Sequence, residues 1–504
     1  MNIIFVTTGS MYPVYFDAYN ELKIQFDKVG FYVTNSSTFK KNFRNNTEIK
    51  YLKEWELTSK IKNIKVDYNK LSQFEHKYFK DESIWHSLNN DRRVFRGLYV
   101  KHKQSYAPYY NYDSMLKLFQ ITVEEIEKFI DEIKPNVVFG VTPATFGDYI
   151  FYKIVKAKKI KYFSLKSVKI LNYQTFTSSI GEEHEHIYET FLEKINGKKT
   201  DKFITKQSED YLEKFKKGNS AYEGNVKNQK NTLIFKFNDL KGITKNLIKD
   251  IAKLGSQKDH QNRGSYFLRY LYDNPIKNYN TKIFKKLIKN RTISDLDIIE
   301  NGNFIFYPLH AEPEIAITNY SRFYQNQIEV IRTIALNMPV KFKLIVKEHP
   351  RNIGRRSIGY YKKILEIPNV NFVDYNLPSN AIVKKSKLII VLSGHIGFEA
   401  VILGKPVIVL GNTIYRILPN HLVNFVDNIK NLKEEIINTI HNYKSDSSNV
   451  KKFISSIIEN SFKLNLYTVL LKKVGREGGE DFTDNKYKSE ILSLSNEIRK
   501  KLEF

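Results

Sequence analysis

Strongly apolar runs that end abruptly in glycine or polar residues recur through the second half of this chain. They occupy residues 304–308 (FIFYP), 388–392 (LIIVL) and 407–410 (VIVL), and residues 340–347 (VKFKLIVK) are a further predicted strand. Runs that are apolar throughout, rather than alternating, are typical of strands buried on both faces of a parallel sheet. Between the last two runs, Ser393 and Gly394 form a tight loop, and the helical stretch that follows ends at Gly404. The pattern predicts repeated strand–loop–helix–strand units.

The N-terminal half carries the same alternation. Residues 2–7 (NIIFVT) and 136–141 (NVVFGV) are predicted strands, and residues 116–133 have the apolar spacing of a helix. Because such units build parallel sheets, the predicted fold class is α/β, with two Rossmann-like domains that face a central cleft. The predicted divisions are an N-terminal Rossmann-like domain (1–165), a basic helical or irregular insertion (166–301), a C-terminal Rossmann-like domain (302–445), and a closing helix with a charged tail (446–504).

Polar side chains follow the predicted strands of the second half at the points where the strands end. His349 follows Lys347 at the end of one strand, and Pro350 holds the histidine away from helical geometry. His310 and Glu314 follow the strand before it. Ligands of open α/β sheets bind at the carboxyl ends of the strands. These side chains are therefore predicted to share a site.

The loop of Ser393 and Gly394 adds backbone N–H groups to this site, together with that of His395 at the start of the helix. Such groups bind phosphate or carboxylate, and glycine permits close approach. Glu399 lies in an otherwise apolar stretch of the same helix, where an unpaired carboxylate is costly. Either a polar ligand or a partly buried salt bridge to a lysine would satisfy it.

Charge and composition narrow the function classes. The 504 residues include 81 Lys and Arg against 54 Asp and Glu, a formal net charge of +27, and no cysteine. Disulfides, cysteine-ligated zinc and thiol nucleophiles are therefore excluded. The charge fits an anionic membrane surface, nucleic acid or simply a solvated surface, and no zinc-finger, RRM or basic-region pattern supports nucleic acid. No run of about 18 apolar residues predicts a membrane span, and the first residues do not resemble a signal peptide.

The expectation is a cytoplasmic protein that binds peripherally to the inner face of a membrane. The lysines of the insertion and of the tail would supply that contact. No nucleic-acid partner is expected.

Three motifs resemble the capsule polysaccharide biosynthesis family, which includes Kdo transferases. They are KEHP (347–350), SGHIGFEAVILGKPVIVLG (393–411) and YPLHAEPE (307–314). The family patterns are a His-Pro after a strand, SxTxGxEAxxxGKPV and PLQxxxD. Two positions depart from them, since His395 replaces a usual Thr or Ser and His310 replaces Gln. The resemblance covers residues 303–411.

The resemblance implies a GT-B glycosyltransferase, metal-independent and inverting, without a cofactor beyond its CMP- or UDP-linked sugar donor. The sugar would be Kdo, a sialic-acid-like sugar or another surface sugar, and the acceptor a glycan or glycolipid. The implied donor-binding residues are His310, Lys347, His349, Pro350, Ser393, Gly394, His395 and Glu399. The implied catalytic residues are His349, Glu314 and Asp148. Asp148 would take the acceptor's proton as the base, with Asp17 as the alternative.

Other functions fit the same pattern. A nucleotide-sugar epimerase or a polyol-phosphate polymerase would use the same scaffold. A protein of another class, a non-enzymatic binder of anionic lipid or nucleic acid, would be governed by charge and would respond strongly to salt.

Overall fold

The computed structural model describes residues 1–43, 46–80, 82–91, 110–181, 183–218, 222–225, 238–252, 266–289, 292–293, 303–312 and 314–503. Within these residues the strands form two sheets of seven strands each. Alternate residues of one strand pack into two different cores, as Phe5 and Val6 do in the first strand. Both faces of the sheets are therefore covered, which explains why the strands lack a polar face.

The first sheet has the strand order β14-β6-β5-β4-β1-β2-β3. Its strands are β1 (Asn2–Thr7), β2 (Lys28–Val33), β3 (Ile49–Lys53), β4 (Val137–Val141), β5 (Lys161–Ser167), β6 (Tyr173–Thr177) and β14 (Phe462–Lys463). The five strands from β3 to β5 are parallel, and β6 pairs antiparallel with both β5 and β14. The chain thus returns to its first sheet after building the second.

The second sheet is parallel throughout, with the order β13-β12-β11-β8-β9-β10-β7. Its strands are β7 (Thr292–Ile293), β8 (Phe304–Pro308), β9 (Lys343–Lys347), β10 (Val370–Val373), β11 (Leu388–Val391), β12 (Val407–Val409) and β13 (Val423–Phe425). The predicted α/β architecture of two Rossmann-like domains is confirmed.

Helices connect the strands and cover the sheets. In the N-terminal domain they are α1 (Met11–Leu22), α2 (Ser36–Asn42), α3 (Glu54–Lys60), α4 (Tyr68–Phe74), α5 (Ile84–Asn90), α6 (Tyr112–Ile133) and α7 (Phe146–Ala157). Next come α8 (Glu185–Ile195), α9 (Lys202–Lys216), α10 (Asn238–Ala252), α11 (Tyr266–Leu271) and α12 (Lys277–Ile288). The C-terminal half contributes α13 (Ile315–Thr318), α14 (Gln327–Asn337), α15 (Ile358–Leu365), α16 (Ser379–Lys385), α17 (His395–Ile402), α18 (Leu432–Asn442), α19 (Ser447–Glu459) and α20 (Asp484–Leu502).

A row of aromatic rings crosses the first sheet. Phe5 of β1 stacks on Phe31 of β2 with ring centroids 5.0 Å apart, and on Phe139 of β4 at 6.1 Å. Phe139 in turn stacks on Phe163 of β5 at 5.4 Å. Stacked rings on neighbouring strands add to the stabilisation from burial and help to fix the register.

The observed domain limits differ from the predicted ones. The first sheet extends past residue 165 because β5 continues to Ser167 and β6 pairs with it. Within the predicted insertion, α8 and α9 pack against α19, so this part joins the C-terminal helices. Residues 219–221, 226–237, 253–265 and 294–302 of the predicted insertion lie outside the described residues.

The predicted charged tail is a packed helix. Helix α20 lies against α1, where the Ser495 hydroxyl donates to the carbonyl of Ala18 over 3.0 Å. Ile491, Leu494 and Ile498 of the same helix are buried. In the described part of the chain, no helix is long and apolar enough to cross a membrane.

Candidate functional site

Two neighbouring strands at the centre of the second sheet end in loops that touch. The chain runs outward from β8 through β9 and β10, and then continues on the other side of β8 with β11. At such a topological switch point a crevice opens beyond the strand ends, and ligands of α/β proteins bind there. His310 follows β8 and Ser393 follows β11, and the Ser393 N–H donates to Nε2 of His310 over 3.5 Å. The structure thus joins two sequence-predicted segments in one crevice.

Gly394 has no room for a side chain. Its φ is +148°, and a Cβ atom here would lie 2.8 Å from Cε1 of His310. Its carbonyl accepts a 2.9 Å hydrogen bond from the Tyr415 hydroxyl. A Cβ atom at Gly397 would meet that same hydroxyl at 2.2 Å. The two glycines therefore keep the start of α17 close to the loops around it.

Beneath these loops lies a buried ion cluster that the sequence patterns did not reveal. Arg356, Glu312 and Glu348 are 0%, 2% and 1% exposed. Arg356 pairs with Glu312 over 3.1 Å and with Glu348 over 2.8 Å. Its guanidinium also donates to the carbonyl of His310 over 2.6 Å. One cation therefore ties the loop after β8 to the loop after β9, and Glu348 of the KEHP motif has a structural role.

His349 is half-buried just after β9, and the exposed Pro350 behind it begins a single turn of 3-10 helix. Nδ1 of His349 accepts a 3.2 Å hydrogen bond from the N–H of Arg351. Burial, followed by the charge of Arg351, lowers the pKa of His349 to about 3. At neutral pH the ring is therefore neutral, and the bond to Nδ1 leaves the proton on Nε2. His349 offers a ligand an N–H donor rather than a charge.

Lys347 and Glu399 are two polar residues of the crevice whose charges influence each other. The ammonium of Lys347 donates to the Ser379 hydroxyl over 2.9 Å. Burial lowers the pKa of Lys347 to about 8, although the charge of Glu399 opposes the shift. Burial and then Glu477 raise the pKa of Glu399 to about 7, although Lys347 opposes the shift. The structure pairs Glu399 with Nε2 of His395 at 3.4 Å rather than with a lysine.

Glu314 is the half-buried N-cap of α13, and its side chain makes no capping hydrogen bond. Its carboxylate lies 3.9 Å from the guanidinium of Arg351. Burial raises the pKa of Glu314, while Arg351 and Lys169 oppose the shift. Lys169 also depresses the pKa of His310 to about 4 and that of His395 to about 3, in each case after the larger effect of burial. Lys169 lies in the loop between β5 and β6, so the first domain places a cation against the site.

Two segments that are distant in sequence complete the wall. Tyr222 stacks on His395 with ring centroids 5.2 Å apart. Arg476 donates to the carbonyl of Gly224, and the next residue, Glu477, acts on Glu399 through its charge. Arg476 and Glu477 belong to the predicted charged tail (446–504), so part of that tail lies beside the crevice.

The structure corrects the two candidate bases of the N-terminal domain. Asp148 is 1% exposed and completes a capping box with Thr145 at the start of α7. Its Oδ2 accepts from the Thr8 hydroxyl at 2.8 Å and from the N–H of Thr145 at 3.2 Å. Asp17 accepts a 2.8 Å hydrogen bond from Tyr487 of α20, away from the cleft. Both carboxylates therefore hold helices in place, and Asp148 is too deeply buried to act as an accessible base.

Comparison with known proteins agrees with the motifs. The profile of the family described as "Capsule polysaccharide biosynthesis protein" matches residues 209–419. The predicted resemblance is confirmed. The matched region contains the whole crevice on the side of the second sheet, including His310, His349 and Glu399.

A curated relative is similar over a shorter stretch. "Protein FixF" of Sinorhizobium fredii (strain NBRC 101917 / NGR234) is 28% identical over 117 residues, which are 23% of this chain and 28% of that relative.

Among solved structures, the beta Kdo 2,7 transferase KpsC of Thermosulfurimonas dismutans aligns over 74% of this chain and 89% of its own, with 11% identity and a TM-score of 0.35. The UDP-GlcNAc 2-epimerase of Neisseria meningitidis, bound to UDP-GlcNAc, aligns over 99% of this chain and 98% of its own, with 13% identity and a TM-score of 0.26.

Proposed function

We propose that this protein is a glycosyltransferase that moves a sugar from a nucleotide-activated donor to a lipid-linked or growing bacterial surface polysaccharide. The observation that carries the proposal is the contact of His310 with the Ser393–Gly394 loop at the switch point of the second sheet. This contact falls within the region that the capsule polysaccharide family matches. The donor sugar would be Kdo, a sialic-acid-like sugar or another surface sugar, linked to CMP or UDP.

The donor phosphate would bind at the start of α17. The bare backbone at Gly394 lets a phosphate oxygen approach the N–H groups of the first turn, where the helix dipole favours an anion. His349 would donate its Nε2–H to the departing phosphate, where negative charge builds up during transfer. Lys347 and Arg351 stand near enough to add positive charge, which supports a transfer that needs no metal ion.

Glu399 would accept hydrogen bonds from ribose or sugar hydroxyls. A carboxylate with a pKa of about 7 is ionised in half of the molecules at neutral pH, and a hydroxyl donor would favour the ionised form. Its imidazole partner, His395, is neutral and supplies no compensating positive charge. This assignment accounts for a carboxylate on the otherwise apolar helix α17.

An inverting transfer also needs a group to take the proton of the acceptor hydroxyl. That oxygen attacks the anomeric carbon, and the bond to the phosphate oxygen breaks, with its electron pair leaving on the nucleotide. Glu314 is the best candidate for this base. It is half-buried at the cleft, and burial raises its pKa toward the working range of a base. The capping role of Asp148 and the hydrogen bond that Asp17 accepts from Tyr487 weigh against these two candidates.

Thermal shift and product analysis with CMP, UDP, GDP and their sugars test the proposal. A donor present at 100 times its Kd should stabilise the protein by about 2.7 kcal/mol. With an acceptor glycan present, a transferase releases the free nucleotide and a lengthened glycan. An epimerase would change the sugar without an acceptor, and a polyol-phosphate polymerase would release a nucleoside monophosphate while transferring the polyol with its phosphate. No stabilisation by any nucleotide would overturn the proposal in favour of a charge-driven binder.

A further inference from the structure

A second cavity of about 400 Å³ lies between the two domains, beside the crevice. Its volume falls within the range of small-molecule sites. The first domain contributes side chains of α7, such as Tyr149 and Lys153, and the loop after β6. The second domain contributes residues 319–324 and residues 410–412, which follow β12. The cavity is therefore assembled only when the two domains face each other.

Polar contacts across the domain boundary shape this cavity. Arg322 of the second domain pairs with Glu82 of the first over 2.9 Å and donates to the Tyr149 hydroxyl over 2.9 Å. Asn412 of the second domain donates to Glu183 of the first over 2.7 Å. These contacts fix the two walls of the cavity relative to each other, as a preformed binding site requires.

The charges of the lining balance. Three acidic side chains, Glu82, Glu183 and Asp427, stand with three basic ones, Lys153, Arg322 and Arg416. An anionic group would therefore gain little net attraction here. The balance favours a neutral ligand.

The lining also combines apolar and polar features. Phe323 is 84% exposed at the cavity, so its ring is accessible to a ligand there. Buried polar atoms of two lining side chains, Nδ2 of Asn319 and Oδ1 of Asn412, have no hydrogen-bond partner among the described residues. An unpaired buried polar group is destabilising, and a ligand with hydroxyl groups would offset that cost. A pyranose ring offers both an apolar C–H face for the aromatic ring and hydroxyls for the amides.

We propose that this cavity binds a neutral sugar unit of the acceptor glycan, with Phe323 as its stacking platform. The inference rests on the proposed transferase function, because an acceptor must lie next to the donor. The N–H of Gly411 donates to the carbonyl of Leu392 over 2.7 Å, which places the cavity wall directly beside the loop of Ser393. A sugar in the cavity thus lies one strand away from the proposed donor phosphate site.

Saturation-transfer NMR on the full-length protein tests the proposal with defined probes. The neutral probes are the methyl β-glycosides of glucose, galactose and N-acetylglucosamine, and the anionic probes are glucuronic acid and glucose 6-phosphate. At least one neutral glycoside should bind, and Phe323→Ala should weaken its binding at least fivefold. Phe323→Tyr should retain binding, since the ring remains. Phe203→Ala removes another exposed phenylalanine, 66% exposed on α9, and should leave binding unchanged.

Each result bears on the proposal separately from the donor site. Absence of binding by every neutral glycoside, preference for the anionic probes, or equal binding by Phe323→Ala would overturn it. Nucleotide binding is measured on the same wild-type sample. Glycoside binding without nucleotide binding would reject the transferase function and keep the sugar site, whereas nucleotide binding without glycoside binding would reject only the sugar site.

Discussion

The buried guanidinium of Arg356 holds together the two loops that carry His310 and His349, so its removal should damage stability and donor binding together. In Arg356→Met the side chain keeps much of its volume but loses its charge. Glu312 and Glu348, which are 2% and 1% exposed, then lack the cation that each now contacts. The carbonyl of His310 also loses its 2.6 Å hydrogen bond.

The size of the effect follows from this burial. Removing one partner of a buried ion pair typically costs about 3–5 kcal/mol, because the remaining charge stays buried without compensation. Because the cluster is almost fully buried, solvent screens its charges only weakly. We expect Arg356→Met to lose about 3–5 kcal/mol at pH 8, a large part of the 5–15 kcal/mol that stabilises a typical domain.

The sign of the pH effect follows from the buried carboxyl group of Glu348. Burial raises the pKa of Glu348, and in wild type the charge of Arg356 opposes that shift. Without Arg356, the folded-state pKa of Glu348 should lie further above the value of about 4.3 in an unfolded chain. A raised carboxyl pKa contributes stability that is fully present below the unfolded value and is lost as pH rises through the folded value. Between these two pKa values, each such carboxyl lowers the free energy of unfolding by about 1.4 kcal/mol per pH unit as pH rises.

Urea unfolding of wild type and variant at pH 5 and pH 8 measures the effect. The deficit of Arg356→Met should be smaller at pH 5 by about 2 kcal/mol or more. Adding Glu312→Gln and Glu348→Gln should recover part of the loss at pH 8, since no buried charge then remains. Arg332→Met removes the arginine of an exposed ion pair and should change stability by less than about 0.5 kcal/mol. A loss under 1 kcal/mol, or a loss independent of pH, would refute the reasoning.

His349→Ala should lower transfer by about 100-fold or more, the typical cost of removing one donor to a developing charge, with little change in melting temperature. A fully active variant, or one that fails to fold, would contradict the assignment. Donor affinity should be highest between pH 7 and 8, because Glu399 ionises above about 7 and Lys347 loses its charge above about 8. In calorimetric titrations, Glu399→Gln should abolish the fall in donor affinity below about pH 7. A large stability loss with unchanged affinity would instead show that the carboxylate has a structural role. Vesicles of anionic lipid should bind the protein at low salt, each lysine near the surface contributing about 1 kcal/mol. Lysine-rich α10, with Leu247 and Ile248 exposed, is a candidate contact, and cosedimentation equal with neutral vesicles would remove the membrane interpretation.

The sequence predicted the second sheet well because its signals are local. The four predicted strands β8, β9, β11 and β12 are almost entirely buried, and His310, His349 and Ser393 each lie two residues beyond the end of a strand. His310, His349 and Ser393 therefore reach the same edge of the sheet once the strands are parallel. The first sheet was harder to predict in full, since β6 and β14 are short antiparallel additions and β14 comes from the far end of the chain.

Charged residues misled the interpretation where burial depends on distant partners. Asp148 follows a strand as a catalytic residue would, yet its carboxylate is engaged by Thr8, 140 residues away. Arg356 is one of many basic residues in a chain of net charge +27, and nothing in its neighbours indicates that it is buried. A carboxylate pair from two different loops decides its role, and sequence spacing does not contain that information.

The wall of the crevice depends even more on contacts between distant segments, which sequence spacing does not reveal. Lys169, Tyr222 and Glu477 come from three separate stretches, and each influences His395 or Glu399 through charge or stacking. Glu477 acts on Glu399 only because the chain, after completing the second sheet, returns to the first domain through β14 and α20. Burial is the larger cause of the raised pKa of Glu399, and the charge of Glu477 adds to it. A pattern within residues 303–411 predicts where a donor would bind, but the protonation state of its key carboxylate depends on a segment beyond that range.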